Sequence, residues 1–152
     1  MKKLAFLISA LLIILISFGQ AMADDSKIEK AKELFERLVL LSHEFNADVA
    51  DLYSNAAIIK DIRHYPFGES RKMTMSGKEY KAMIRKIMPL AKLRGDISTF
   101  SDVTYSSEGD NVRVKATRYS QLKNYSSPYS LLIGMDDKGD LTILEELTES
   151  RS

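Results

Sequence analysis

The stretch NVRVKATRYS, residues 111–120, alternates apolar and polar side chains. In an extended chain, Val112, Val114 and Ala116 fall on one side, and the intervening polar side chains fall on the other. This period of two is typical of an antiparallel strand with one covered face and one face in water. Arg118 continues the apolar side, so its position predicts a charged group on the covered face.

Three more strands are predicted around this one, because the same period begins near residue 96 and continues to residue 149. The segments SSEGDN, KNYSSP and DDKGD separate them and carry the glycine, proline and asparagine typical of turns. A series of consecutive strands joined by turns predicts an antiparallel meander. The predicted strands cover residues 97–106, 110–122, 127–136 and 140–149.

Two helices are predicted before the meander, each opened by a serine followed three residues later by a glutamate. Ser26 caps a helix over residues 26–45, and Ser76 caps a helix over residues 77–88 that Pro89 ends or kinks. Apolar residues recur in both at three- and four-residue spacing, which gives each helix one buried side. In the second helix these residues are Tyr80, Met83, Ile84 and Ile87.

The segment between the two helices predicts a short helix at NADVADLYS, a strand over residues 57–65, and a possible pairing strand at RKMTM. Helices first and hairpins last predict an α+β domain, with N-terminal helices packed on a curved, mainly antiparallel sheet.

The N-terminus has the composition of a secretory signal peptide. Lys2 and Lys3 precede an unbroken apolar run, and small residues surround Met22. We therefore expect a signal peptide over residues 1–23, cleavage after Ala23, and a single domain over residues 24–152. The mature protein is then periplasmic or secreted, with no stable membrane anchoring once the signal is removed.

Composition narrows the classes of partner and site. Without Lys2 and Lys3 the chain has 20 basic and 21 acidic residues, so no global positive field would attract nucleic acid. Cysteine is absent, and His43 and His64 do not match a metal-ligand spacing. No glycine-rich phosphate loop is present. We therefore expect neither a metal nor a cofactor.

The order of these elements resembles the nuclear-transport-factor-2-like superfamily, which includes ketosteroid isomerase and polyketide cyclase-like domains. The resemblance covers residues 26–149. Its local signals are DVADLYSNAAII at 48–59, SGKEYKAMIRK at 76–86 and LLIGMDDKGDLTILEE at 131–146. It implies a cone-shaped sheet around the long helix, enclosing a conical cavity that suits a small, mostly apolar ligand.

Matching LYSNAAIIKD to the first strand of ketosteroid isomerase places Asp61 where the isomerase has its proton-shuttling carboxylate. The resemblance thus implies Asp61 as a candidate general base. The isomerase also needs hydrogen-bond donors for the developing enolate. The match puts Arg37 at the position of its helix tyrosine, and Leu131 or Pro128 near the position of its acid, and none of these supplies the expected donor.

Other side chains could complete a site around Asp61. Arg118 could point into the cavity mouth, Arg63 shares the face of Asp61 in a regular strand, and Tyr53 could give electrophilic support. An arginine near Asp61 would lower the pKa of that carboxyl, which favours anchoring of an anionic ligand or a structural ion pair over catalysis. One bulge in residues 57–65 would exchange the two faces of the strand.

These observations favour an exported domain that binds a small amphipathic ligand or docks a partner without catalysis. The ligand-binding candidates are Tyr53, Asp61, Arg63 and Arg118. The alternative is a cofactor-free isomerase or dehydratase with Asp61 as general base. The resemblance also implies a possible homodimer through the outer sheet face, which carries Arg113, Lys115, Thr117 and Tyr119.

Overall fold

The computed structural model describes the backbone of residues 2–151 and the side chains of residues 23–151. The described residues form two α-helices, a short 3-10 helix and six strands. Residues 1–22 of the predicted signal peptide have side chains outside the described part, so the peptide, its cleavage and the export it implies stay predictions. The elements in chain order are α1 Lys2–His43, the 3-10 helix Ala47–Leu52, β1 Tyr53–His64, β2 Ser70–Ser76, α2 Gly77–Arg94, β3 Ser98–Glu108, β4 Asn111–Ser120, β5 Tyr125–Met135 and β6 Leu141–Arg151.

The six strands form one sheet in the order β2-β1-β6-β5-β4-β3. Every neighbouring pair is antiparallel except β1 and β6, which run parallel. The parallel pair is possible because α2 and the meander lie between β1 and β6 in sequence, and they form the long connection that a parallel pair requires. The α+β prediction, with helices packed on a curved and mainly antiparallel sheet, is confirmed.

The core lies between α1 and the inner face of the meander. Leu34, Phe35 and Leu38 of α1 are buried, as are Val114 and Leu131 of the sheet. The Phe35 ring packs edge-on against that of Phe100, with centroids 5.4 Å apart. Burial of such side chains, at about 1.5–3 kcal/mol each, is the main driving force that holds α1 on the sheet.

Two helix boundaries differ from the predicted ones. Ser26 does not cap a helix, because residues 23–43 are continuously helical and contain no proline or glycine that would interrupt them. Pro89 does not end α2, which continues to Arg94. Proline removes only one backbone hydrogen bond, and α2 ends instead at Gly95, whose φ of 63° places it in the left-handed region.

The predicted capping box at the start of α2 is confirmed. The Ser76 side chain accepts from the backbone N–H of Glu79, and the Glu79 carboxylate accepts from the backbone N–H of Ser76.

Within the described part of the chain, no helix is both long enough and apolar enough to cross a membrane.

Candidate functional site

A cavity of about 190 Å³ opens between α2, the end of α1 and the inner face of the sheet. Much of its wall is apolar, with Leu38, Ile84, Met88 and Phe100 among the lining residues. The polar lining is concentrated on the sheet side and at the start of α2. It comprises Tyr53, Tyr80, Arg118, Tyr129 and Glu146, together with Ser42 at the end of α1, Asp96 in the loop after α2 and Ser98 at the start of β3.

Glu146 reaches this cavity because β6 carries a bulge. Ile143 pairs with Ile133 of β5, but Glu145 pairs with Leu132, so Leu144 has no partner across the strands. An unpaired residue reverses which side chains of a strand point inward. Strict alternation from Ile143 would direct Glu145 inward, whereas the bulge directs Glu146 inward, where only 4% of it is exposed.

Three tyrosines surround the Glu146 carboxylate, and each donates a hydrogen bond to it. Tyr53 and Tyr129 donate to Oε2, the latter over 3.2 Å. Tyr80 donates to Oε1 over 3.0 Å. The tyrosines come from β1, α2 and β5, so one carboxyl group connects the helix to two strands. We call Glu146 with these three residues the tyrosine–glutamate cluster.

Burial sets the protonation of this cluster. Removal from water raises the pKa of Glu146 above its ordinary value, and the three phenol hydrogen bonds and the charge of Arg118 oppose the rise without cancelling it. Burial, followed by the charge of Glu146, raises the pKa of Tyr53 and Tyr129 well above the ordinary value. The phenols therefore remain protonated donors at neutral pH, and Glu146 holds its proton more tightly than an exposed glutamate.

Arg118 lies in the cavity lining, on the same side of β4 as Val112 and Val114, as the alternation indicates. Its Nη2 donates to the backbone oxygen of Glu149 over 3.1 Å and to the Tyr125 hydroxyl over 3.3 Å. Its Nε–H is buried and has no hydrogen-bond partner among the described residues.

Asp61 lies outside the lining of this cavity. It pairs with Thr148 in the parallel β1–β6 ladder, and its carboxylate accepts from Thr148 Oγ1 over 3.1 Å and from Ser150 Oγ over 2.8 Å. Arg63, two residues further along β1, is also absent from the lining. The cavity thus brings together Tyr53 and Arg118 but not Asp61 and Arg63. The catalytic and ligand-binding roles of Asp61 and Arg63 stay predictions.

The two hydroxyl contacts lead us to expect that Asp61→Asn lowers the free energy of unfolding by about 1 kcal/mol. An amide oxygen accepts less strongly than a carboxylate, and only one of the two acceptor positions survives. Chemical denaturation checks this, with Asp137→Asn in the exposed turn after β5 as the matched control. Unchanged stability of Asp61→Asn would contradict the structural role.

His64 forms a separate polar group at the far end of β1. Its ring nitrogens lie 2.8 Å from Ser70 Oγ and 2.8 Å from Glu149 Oε2. The His64 side chain is 41% exposed, and it is not among the residues that line the cavity. These contacts tie together the ends of β1, β2 and β6.

Sequence reasoning did not identify Glu146 or Tyr129 as site residues. The helical spacing predicts Tyr80 on the buried side of α2 but indicates no partner for its hydroxyl. The available signal for Glu146 is the pair Glu145–Glu146 within a predicted strand, since two consecutive residues of a regular strand point to opposite faces of the sheet. Among residues 23–151, no group of three histidine, aspartate or glutamate side chains is arranged to hold a metal ion.

Comparison with known proteins gives relatives by structure only. Neither a protein-family model nor a curated protein sequence matches the chain. An NTF2-like protein from Pseudomonas putida superposes with a TM-score of 0.61 at 11% identity, covering 82% of this chain and 87% of that one. An NTF2-like protein with a cystatin-like fold from Novosphingobium aromaticivorans gives 0.56 at 14% identity, covering 90% and 87%.

A third similar structure contains a ligand. This protein from Catenulispora acidiphila, solved in complex with S-DNPA, gives a TM-score of 0.50 at 14% identity and covers 78% of this chain and 89% of that one. These superpositions establish the fold, and at such low identity they do not establish the activity. The chain therefore has the nuclear-transport-factor-2-like fold, as its element order predicted.

Proposed function

We propose that this protein binds a small, mostly apolar molecule in the cavity, with a polar end of that molecule facing the sheet side of the lining. The observation that carries this proposal is that the cavity wall has an apolar part and a polar part. Leu38, Ile84 and Phe100 offer apolar contact, whereas Arg118 and the tyrosine–glutamate cluster offer polar contact. Binding sites for small molecules combine a largely apolar wall with a few placed polar groups in this way.

The size of the cavity restricts the ligand. Its volume of about 190 Å³ is smaller than the cavities of about 300–1,000 Å³ typical of drug-sized ligands. The ligand is therefore a compact molecule with one short chain or one ring. The structural neighbour solved with S-DNPA supports the ability of this fold to hold a small ligand. Export of the protein would place that ligand in the periplasm or the medium.

Filling the cavity tests this proposal. Ala91 lines it from α2, and Leu93 on the same helix is 83% exposed. We expect protein purified from its own host to retain a small molecule in native mass spectrometry, and Ala91→Phe to lose it because the larger ring occupies the space. Leu93→Phe, which adds a ring on the solvent side, should keep it. Retention by Ala91→Phe, or no bound molecule in any sample, would contradict the proposal.

One observation favours a second candidate, a cofactor-free isomerase or dehydratase. A buried carboxyl whose pKa is raised above its ordinary value is a stronger proton acceptor than an exposed one, and Glu146 is such a group. In this candidate Glu146 replaces Asp61 as the general base. The phenols donate to Glu146 itself rather than to open space, and this arrangement supports binding more than catalysis. Conversion of the retained molecule by the wild type but not by Glu146→Gln would establish the enzyme.

A further inference from the structure

Arg118 differs from the other arginine on β4 in how its charge is compensated. Arg113, on the opposite face, forms ion pairs with Glu108 and Glu145 at 2.8 and 2.7 Å. Within residues 23–151, Arg118 forms no ion pair, and its neutral partners are one phenol and one backbone oxygen. A partly buried guanidinium without an ion-pair partner is poorly compensated, so an anion that reaches it gains a charge-assisted hydrogen bond.

The Nη2 group of Arg118 is already used by Tyr125 and by the Glu149 backbone, and its Nε–H is buried, whereas its Nη1 group donates to no described residue and is not among the buried nitrogens, so Nη1 is the donor open to a ligand. These two contacts also hold the guanidinium plane in place. A fixed donor loses little conformational entropy when it binds, which is the advantage of arginine over lysine in carboxylate recognition. The site for an anion is therefore built before the ligand arrives.

The rest of the cavity suits the apolar remainder of such a ligand. Leu38, Ile84 and Phe100 face the same space as Arg118. Glu146 is the buried acidic group nearby, and burial raises the pKa of its carboxyl. Its carboxyl oxygens already accept from three phenols, which partly offset its negative charge toward an entering carboxylate. Asp96, the other acidic lining residue, is exposed to solvent.

We propose that the cavity binds a small monocarboxylic acid, with its carboxylate accepting from the Nη1 group of Arg118 and its hydrocarbon part against the apolar wall. This rests on the proposed function and names the substrate class of the same site. The two are distinguishable, because a neutral molecule of equal size would satisfy the apolar wall but not Arg118.

Isothermal titration calorimetry with hexanoate and hexan-1-ol on the full chain tests the charge requirement. We expect hexanoate to bind the wild type about tenfold or more tightly than the alcohol, as one charge-assisted hydrogen bond implies. Arg118→Gln should remove this preference. Lys115→Gln, which removes one positive charge from the exposed face of the same strand, should keep it.

Each outcome decides between the two proposals. Equal binding of acid and alcohol by the wild type, or an undiminished preference in Arg118→Gln, would overturn the carboxylate proposal and leave the ligand-binding function standing. Binding of neither probe would contradict both. If Arg118→Gln does not fold, the wild-type Arg118 Nε–H resonance provides the measurement. A shift on addition of hexanoate but not hexan-1-ol supports the proposal, and no shift with hexanoate overturns it.

Discussion

Glu146→Ala is expected to lower the free energy of unfolding by about 3 kcal/mol or more, because it removes the acceptor shared by three tyrosines. Tyr53 and Tyr129 are only 3% and 6% exposed, so their hydroxyls cannot turn to bulk water. A buried donor left without a partner costs about 1–3 kcal/mol, and the missing side chain also leaves a void. Urea denaturation measures the loss.

Glu146→Gln is the matched control for size. The amide oxygen accepts from two of the phenols, and its NH₂ group can donate to the oxygen of the third, so we expect a loss of about 1 kcal/mol. A loss in Glu146→Ala no larger than that in Glu146→Gln would show that the three hydroxyls find other partners, and the tyrosine–glutamate cluster would then not stabilise the fold.

Comparison of the wild type with Glu146→Gln also reports the protonation of Glu146. Burial raises its folded-state pKa above the ordinary value of 4.5, so the folded chain retains this proton to a higher pH than the unfolded chain does. The contribution of Glu146 to stability is therefore largest below pH 4.5 and falls as the pH rises toward the raised pKa. We expect the stability of the wild type relative to Glu146→Gln to decrease over that interval and then level off. A relative stability that increases with pH would contradict the raised pKa.

The strands of the sheet are well predicted from the sequence, because each strand and each turn is indicated by its own residues. Each strand of the meander carries its own period of two, and turn residues separate the strands at 106–111, 123–128 and 136–140. The signal for the start of α2 is also contained in a few neighbouring residues, since the side chains of Ser76 and Glu79 hydrogen-bond to each other's backbone N–H groups. The same alternation placed Arg118 beside Val114 on the covered face, and the structure has it in the cavity lining.

The chemistry of the cavity was less predictable because it depends on register. Glu146 faces inward only because Leu144 is unpaired, and that bulge is a property of the β5–β6 pairing rather than of either strand. For Asp61, the strand pairing supplies hydrogen-bond partners instead of directing the side chain into the cavity. Its carboxylate is occupied by Thr148 and Ser150, two hydroxyls brought to it by a parallel pairing between segments that are 87 and 89 residues away. No local pattern in residues 57–65 indicates those partners.

The close approach of α2 to β1 gives the second large prediction. A Cβ added at Gly77 would lie 1.9 Å from the backbone oxygen of Ser54 and 2.9 Å from the Ala57 Cβ. Neither a backbone oxygen nor a buried methyl group can move aside alone, so Gly77→Ala must push the start of α2 away from the sheet. Overpacking of this kind costs about 1–3 kcal/mol, and backbone contact puts Gly77→Ala at the upper end.

The displacement should reach the cavity, because Gly77 lies one turn before Tyr80. Moving the start of α2 outward lengthens the 3.0 Å hydrogen bond from Tyr80 to Glu146 Oε1 and loosens the edge-on packing of Tyr80 against Tyr53, whose ring centroids are 5.1 Å apart. We therefore expect Gly77→Ala to lower the melting temperature and also to weaken hexanoate binding. Thermal unfolding and calorimetry measure the two effects separately.

Gly139→Ala separates steric contact from backbone strain. Gly139 has a φ of 82° in the β5–β6 turn, and a Cβ there would meet no atom within 4 Å. The only penalty of Gly139→Ala is that of holding an alanine in the left-handed region, which is about 1 kcal/mol. The turn does not contribute to the cavity lining. Gly77→Ala should therefore be the more destabilising substitution and the only one of the two to affect binding. Equal losses of stability, with binding intact in both, would mean that α2 accommodates the methyl group and that Gly77 does not position Tyr80.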